Sequence, residues 1–485
     1  MSAELFLWVL VGVSVGITAG AIPGLTGAMA ITLTLPLTFS MEPAPALALL
    51  VAMYVGSVSG GLITATLFKM PGTPASMMTT LDAFPMAAAG KPRRALALGI
   101  GASLIGGLLS WVVLVALARP IAGMAVKMHP FDYFGLVLLA FVLIAAISKG
   151  DLIRGLLSVF LGMLFALPGA NPANPQPRLT WGFSELDDGF RLLPVLIGLF
   201  AVSEAILLVS KSKDGEQRIT GSGGILPQFR EWKAQWVNLI RSSMIGSFVG
   251  VLPGIGANIG SLLAYGAAKS VAKDREVFGK GADSAVVASE SANNATVGGA
   301  LVPLIALGIP GSVIDAILLG AFVLHGITPG PLLFDDNPEI VQTITGSYLV
   351  ANLVMFVAMW FGVGLVRKLG DIPKAILIPA ILTFCVVGSF ALANRMFDVW
   401  VMLAFGILGL VMTKFRIPIA PFVLGFVLQP LAEVNLVQGL AISGPLELIA
   451  RPSSGALVIL SLVFLGVSIW RQATSARSGA NQRRS

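Results

Sequence analysis

Gly16-Ile17-Thr18-Ala19-Gly20-Ala21-Ile22-Pro23-Gly24 returns later in the chain as Gly246-Ser247-Phe248-Val249-Gly250-Val251-Leu252-Pro253-Gly254. Both spaced glycines and the Pro-Gly pair recur at one constant offset, each copy inside a long apolar run. Proline removes an amide donor and clashes with the preceding turn, so it interrupts a helix and frees backbone carbonyls and amides. In hydrocarbon such a break is tolerated only where it is buried in protein or faces a wet cavity. A duplicated break therefore points to a membrane protein made of two related halves with discontinuous helices.

A second correspondence lies downstream of the first. Met70-Pro71-Gly72-Thr73 aligns with Ile309-Pro310-Gly311-Ser312, with a somewhat longer spacer in the second copy. Each follows a small-residue stretch, Gly56-Ser57-Val58-Ser59-Gly60-Gly61 in one case and Ala295-Thr296-Val297-Gly298-Gly299-Ala300 in the other. The repeat motifs thus cover residues 16–90 and 246–331. Beyond them, the basic turn Lys91-Pro92-Arg93-Arg94 stands where the second copy has the acidic Asp335-Asp336-Asn337-Pro338-Glu339. Basic loops stay in the cytoplasm, so equivalent loops of opposite charge predict repeats inverted about the membrane plane. The N-terminus is expected in the periplasm and the C-terminus in the cytoplasm.

Composition agrees with this frame. Hydrophobic residues make up 56% of the 485, charged residues 11%, and the mean hydropathy is +0.89. A soluble domain could not bury that much apolar surface. Apolar runs near the ~20 residues of a spanning helix recur from Leu5 to Trp470, long and continuous rather than the alternating ~10-residue segments of a β-barrel. The predicted fold is an all-α polytopic helical bundle of about 11–12 transmembrane helices with inverted repeats and discontinuous or re-entrant helices. A first membrane half (1–209) precedes a basic cytoplasmic linker (210–236), whose Trp232 and Trp236 suit a helix at the lipid interface. A second membrane half (237–470) and a basic cytoplasmic tail (471–485) complete the chain. The unbroken run from Leu5, with no basic residue before it, reads as a retained first helix rather than a signal peptide.

Several function classes fall away. The surplus of 31 Lys and Arg over 24 Asp and Glu sits in short loops and the tail, and no stacking aromatics follow Trp470, which argues against nucleic acid. The single Cys385 rules out an intramolecular disulfide and reads as packing. There is no Gly-x4-Gly-Lys-Ser/Thr phosphate loop, so an ion gradient is the natural energy source. With only His129 and His325, metalloenzyme ligands are missing and neither histidine has a supporting motif. The chain reads as no enzyme, without cofactor, and with sodium or proton as the coupling ion.

The expected binding residues cluster at the breaks. Half-helices that begin after Pro23-Gly24, Pro71-Gly72, Pro253-Gly254 and Pro310-Gly311 point partial positive charge and free amides toward a bound anion. Thr26, Ser57, Ser59 and Thr73 lie nearby in the first half, and Asn258, Asn293, Asn294, Thr296 and Ser312 in the second. Their oxygens suit a hard cation and their donors suit carboxylate oxygens. The same small polar groups also serve as ordinary interhelical glue. Among ionisable groups, Glu290 is the foremost site residue, Asp82 reads as a helix cap, and Asp315 as an ion ligand or helix-end charge.

At these residues the chain resembles the large membrane subunit of the tripartite tricarboxylate transporters, the TctA family. The resemblance rests on the doubled Gly-x3-Gly-x2-Pro-Gly element and on Asp82-Ala83-Phe84-Pro85, where Ala83 replaces an expected glycine. It rests further on Glu290-Ser291-Ala292-Asn293-Asn294, Leu307-Gly308-Ile309-Pro310-Gly311 and His325-Gly326-Ile327-Thr328-Pro329-Gly330-Pro331. It implies a bacterial inner-membrane carrier that imports citrate or related di- and tricarboxylates on a sodium or proton gradient. A periplasmic solute-binding protein and a small membrane subunit are the implied partners. Elevator-type motion of a repeat-built domain follows by analogy alone. An ion channel, or another permease independent of a binding protein, is the competing reading, and a membrane-embedded enzyme lacks a recognisable dyad.

Overall fold

The structure, a computed structural model, describes residues 2–22, 24–70, 73–147, 151–171, 174–210, 229–252, 256–369, 374–391 and 393–482. Residues 211–228 of the basic linker lie outside them, as do Pro23, Pro71, Gly72, Pro253 and Gly254 of the expected site.

The first motif copy, residues 16–90, lies on α1 (Ala3–Ala21), α2 (Gly27–Thr34), α3 (Pro43–Leu67) and α4 (Met77–Ala88), and α5 (Pro92–Ala125) follows it. Then come α6 (Pro130–Ile147), α7 (Leu152–Phe165), an antiparallel hairpin of β1 (Gly169–Asn171) and β2 (Asn174–Arg178), and α8 (Leu192–Leu196). A π-helical turn, Ile197–Val202, joins α8 to α9 (Ser203–Ser210). After α10 (Phe229–Ala234), the second copy, residues 246–331, lies on α11 (Trp236–Val251), α12 (Gly256–Val271), α13 (Asp283–Leu307) and α14 (Val313–Leu324), followed by α15 (Leu333–Asp336) and α16 (Pro338–Leu369). The chain closes with α17 (Lys374–Ala391), α18 (Met396–Lys414), α19 (Ile419–Ser443), α20 (Glu447–Ala450) and α21 (Pro452–Gln482).

Among the described residues the hairpin is the only sheet, and 8 helical segments are long and apolar enough to cross a bilayer. The chain is an all-α polytopic membrane protein. The expected total of about 11–12 crossings would also need several of the shorter apolar helices, such as Gly27–Ser40 and Val313–Leu324.

Two compact units each draw on both halves of the sequence: Met1–Gly123 with Phe200–Arg395, and Met124–Leu199 with Met396–Ser485. In the first, α3 and α13 are central. Every residue from Pro45 to Leu67 and from Ala285 to Ala306 is buried, because these helices carry mostly small and apolar side chains and turn their few polar ones toward other helices rather than water. Small residues let backbones approach closely, which is what holds helices together when lipid is as apolar as the core.

The two copies use this device residue by residue. A methyl group at Gly16 would strike the Met53 carbonyl, and one at Gly246 would strike that of Ala292, the residue aligned with Met53. Gly20 meets the Ser57 carbonyl as Gly250 meets that of Thr296, and Gly60 meets Ile17 as Gly299 meets Ser247. The α1–α3 and α11–α13 crossings are thus the same interface built twice.

Trp232, on the six-residue α10, is half-buried against Gly101 of α5, with its ring edge-on to Trp360 of α16 at 6.4 Å. Trp236 is exposed. Arg94 pairs with Glu231 at 3.0 Å and Asp283 at 2.6 Å, tying the basic turn to α10 and to the start of α13.

The second unit packs α19 on α6 and α7, with Gly162 against the Phe422 carbonyl and Gly425 against that of Val159. Phe165, Phe190, Phe405 and Phe422 form an aromatic cluster. Arg178, at the end of β2, reaches Glu433 of α19 with two bonds of 2.5 and 2.6 Å. That carboxylate holds the Arg178 guanidinium above its usual range.

Candidate functional site

The second break in each copy has one backbone design. Helix α13 ends at Gly308 in the left-handed conformation (φ +70°), with its N–H donating to Leu304 O at 3.1 Å and the Ile309 N–H donating to Pro303 O at 3.2 Å. This is the glycine-terminated C-cap. Helix α3 ends the same way at the aligned Lys69 (φ +56°), with the Met70 N–H donating to Thr64 O at 3.4 Å. A non-glycine residue there costs about 1–2 kcal/mol, partly offset by Lys69 Nζ lying 5.5 Å above the Phe84 ring.

Past the break the chain turns into a new helix. Ser312 Oγ accepts the Asp315 N–H at 3.3 Å, and Thr73 Oγ1 accepts the Ser76 N–H at 3.3 Å. Pro310 and Gly311 are buried, and a methyl on Gly311 would crowd the Gly250 carbonyl and Ala300. Both the Pro74–Ser76 turn and α14 pack on both α3 and α13, so the two breaks converge on one helix pair. At the first break, Gly24 is left-handed (φ +87°) beside Leu208, and Thr26 Oγ1 caps α2 by accepting the Met29 N–H at 3.2 Å.

A polar network runs between the copies at mid-helix. Ser59 of α3 donates to Asn294 Oδ1 at 2.6 Å, and Asn294 Nδ2 donates to the Glu290 carbonyl at 3.2 Å. The Glu290 carboxylate, wholly buried, accepts from Thr79 Oγ1 of α4 at 2.5 Å and from Ser103 Oγ of α5 at 3.2 Å. Tyr348 of α16 donates to the Asn294 carbonyl at 3.3 Å and shares a 2.7 Å bond with Ser110. The Asn293 amide is buried beside the Glu290 carboxyl, with neither Oδ1 nor Nδ2 in a hydrogen bond of full geometry. An unmet buried donor or acceptor costs about 1–3 kcal/mol, so Asn293 holds hydrogen-bonding capacity in reserve one turn from Glu290. Its Nδ2 suits a carboxylate oxygen and its Oδ1 suits a cation.

The remaining expected residues divide. Ser57 and Thr296, aligned in the two copies, spend their hydroxyls on carbonyls of their own helices, Tyr54 O at 3.0 Å and Ala292 O at 2.8 Å. Asn258 is exposed on α12 and belongs to no network described here. Asp82 accepts the Tyr265 hydroxyl at 2.8 Å and the N–H groups of Gly279, Gly281 and Ala282 at 2.8–3.0 Å. It fastens α4 to the approach to α13. His129 Nε2 pairs with Ser443 at 3.1 Å and His325 Nε2 with Thr38 at 3.4 Å, and neither bonds a carboxylate through that nitrogen.

Sequence reading passed over Thr79, Ser103, Ser110, Tyr54 and Tyr348. No local pattern marks them, since each gains meaning only from a partner far along the chain. Among the described residues no group of three or more His, Cys, Asp or Glu could hold a metal ion. The arrangement offers hydroxyls, amides and a buried carboxylate for a small polar solute or a hard cation.

The pattern of the Tripartite tricarboxylate transporter TctA family matches residues 6–424. The chain is 32% identical over 473 residues to the Agrobacterium vitis "Uncharacterized 52.8 kDa protein in TAR-I ttuC' 3'region", spanning 97% of this chain and 94% of that one. It is 38% identical over 220 residues to a second protein of that organism, "Uncharacterized protein in TAR-II ttuC' 3'region", spanning 45% of this chain and 91% of its relative. No solved structure matches. With its doubled breaks and buried polar network matched over most of its length, the chain belongs to the tripartite tricarboxylate transporter TctA family, a family of membrane transporters.

Proposed function

We propose that this protein is the large permease subunit that carries small di- or tricarboxylates across the bacterial inner membrane on a sodium or proton gradient. A periplasmic solute-binding protein delivers the solute and a small membrane subunit completes the assembly. The repeats lie inverted, with the N-terminus in the periplasm and the basic tail in the cytoplasm. Asn293 carries the reading. Within a transporter family, a fully buried amide without a hydrogen bond of full geometry, on the helix pair where two breaks converge, is a group kept ready for a ligand. The free amides after Pro310-Gly311 and the Ser312 cap supply further donors for an anion. The equivalent breaks at Pro71-Gly72 and Pro253-Gly254 are proposed to line the same route.

The test is uptake of labelled citrate and other di- and tricarboxylates into vesicles holding this chain and its partner subunits, with sodium and proton gradients imposed separately. Saturable, gradient-driven uptake that falls about tenfold or more in Asn293→Ala, the loss of one charge-assisted hydrogen bond, supports the carrier. Uptake indifferent to any gradient and linear in concentration would mark a channel and overturn it.

A further inference from the structure

The turn after the second break carries a charge that the turn after the first does without. Thr73 and Ser312 cap their turns alike, each accepting at 3.3 Å the amide three residues on. In the first copy that amide belongs to Ser76, whose hydroxyl also meets Thr73 Oγ1 at 2.9 Å, so neutral groups close the turn. In the second it belongs to Asp315, which is fully buried, and among the described residues no hydrogen bond of full geometry reaches its carboxyl oxygens, the Ser312 hydroxyl and nearby backbone amides being the donors that approach them. The Ser312 hydroxyl and amide lie near the carboxyl, as in a capping box, without closing a bond of full geometry on it. Since Ser76 shows that the turn closes without a carboxyl, the charge of Asp315 is not needed for the backbone.

Among the described residues, the helices packed most closely on α14 do not balance that charge. Helices α2, α3 and α13 all touch it, and none carries Lys, Arg or His. Their titratable groups are Tyr54 on α3 and Asp283 and Glu290 on α13, none of them cationic. The Tyr54 hydroxyl lies 3.1 Å from Ser312 Oγ, against the same turn. An isolated carboxylate inside a protein must be neutralised or paired. Here the positive charge has to arrive from outside the chain.

We propose that Asp315, with Ser312 Oγ and Tyr54 OH beside it, is a binding site for a monovalent cation, either a proton or sodium. A carboxylate and two hydroxyl oxygens are hard ligands of the kind sodium takes, and the carboxyl alone takes a proton. The N-terminal end of α14 favours the carboxylate and opposes the cation, as reversible loading requires. The site is distinct from the Glu290 carboxylate, whose oxygens are already met by Thr79 and Ser103. Its role in coupling rests on the transporter reading, but the binding itself does not.

Infrared difference spectra of the full chain in lipid, with aspartate carboxyls labelled with carbon-13, test this. A sodium step at fixed pH and a pH step without sodium are the two arms. A saturable change in a labelled aspartate band in one arm, absent from Asp315→Asn, is expected and names the cation. Tyr54→Phe should weaken a sodium response by about tenfold, the worth of one bond to a charged group. The wild-type spectra serve even if the Asn variant does not assemble: no cation-dependent aspartate band in either arm overturns the proposal, as does a band that persists in Asp315→Asn. A chain that binds the cation yet moves no carboxylate keeps this site and loses the transport reading. The converse pattern loses only the site.

Discussion

The two motif copies share a backbone and differ in chemistry. Gly16, Gly20 and Gly60 make the same close approaches as Gly246, Gly250 and Gly299, and both second breaks end in a left-handed residue and restart from a hydroxyl cap. Yet aligned positions hold Tyr54 and Asn293, Ser76 and Asp315, and Lys69 and Gly308. Duplication supplies the geometry of two facing breaks, and divergence within the copies supplies the polarity. Glu290 of the mid-helix network and Asp315 of the second turn, both buried acids, lie in the second copy. A site built this way is symmetric in shape and asymmetric in charge, which suits binding a solute and a cation at different places.

The shared backbone is the part most sensitive to change. Gly20→Leu and Gly250→Leu should each destabilise the protein by about 3 kcal/mol or more, because the added side chain meets backbone that cannot move aside. The fraction that stays monodisperse after detergent extraction measures this, and losses that differ greatly between the two variants would break the equivalence of the copies. Next in size is Ser76→Asp, which places an unpaired carboxylate at the neutral turn and should cost about 3 kcal/mol. Its reverse, Asp315→Ser, should leave the melting temperature unchanged or raised. If Ser76→Asp is neutral, the two turns are not equivalent.

Thr79→Val sharpens the contrast from the Glu290 side. It leaves one carboxylate oxygen without its donor and should lower stability by about 1–3 kcal/mol, read as a drop in melting temperature that Glu290→Gln does not add to fully. The smallest effect belongs to the helix ends. Lys69→Gly should stabilise by about 1 kcal/mol or less through relief of the left-handed conformation, reduced by loss of the contact with Phe84. Gly308→Ala should destabilise by a similar amount, and thermal melts of the pair would show opposite signs.

Reading the chain alone singled out the breaks, the pairing of copies and Glu290, Asn293 and Asn294, because these signals are local: proline, glycine and clustered amides in apolar runs. Ser57 and Thr296 looked equally eligible, yet their hydroxyls face their own helices, a rotamer choice that composition does not reveal. Asp82, read as a helix cap, does accept backbone amides, but those of residues 279–282 rather than of a neighbouring turn.

Sequence by itself determined that this is a helical membrane protein with a doubled, interrupted core. Hydropathy sets what hydrocarbon will accept, and Pro-Gly pairs interrupt a helix wherever they stand. Tertiary structure alone decided which polar groups meet. Ser59 finds Asn294, Thr79 finds Glu290 and Tyr54 finds Ser312 only because stripes of small residues bring helices from opposite ends of the chain into backbone contact. The same close packing buries Asn293 and Asp315 with no hydrogen bond of full geometry among the described residues.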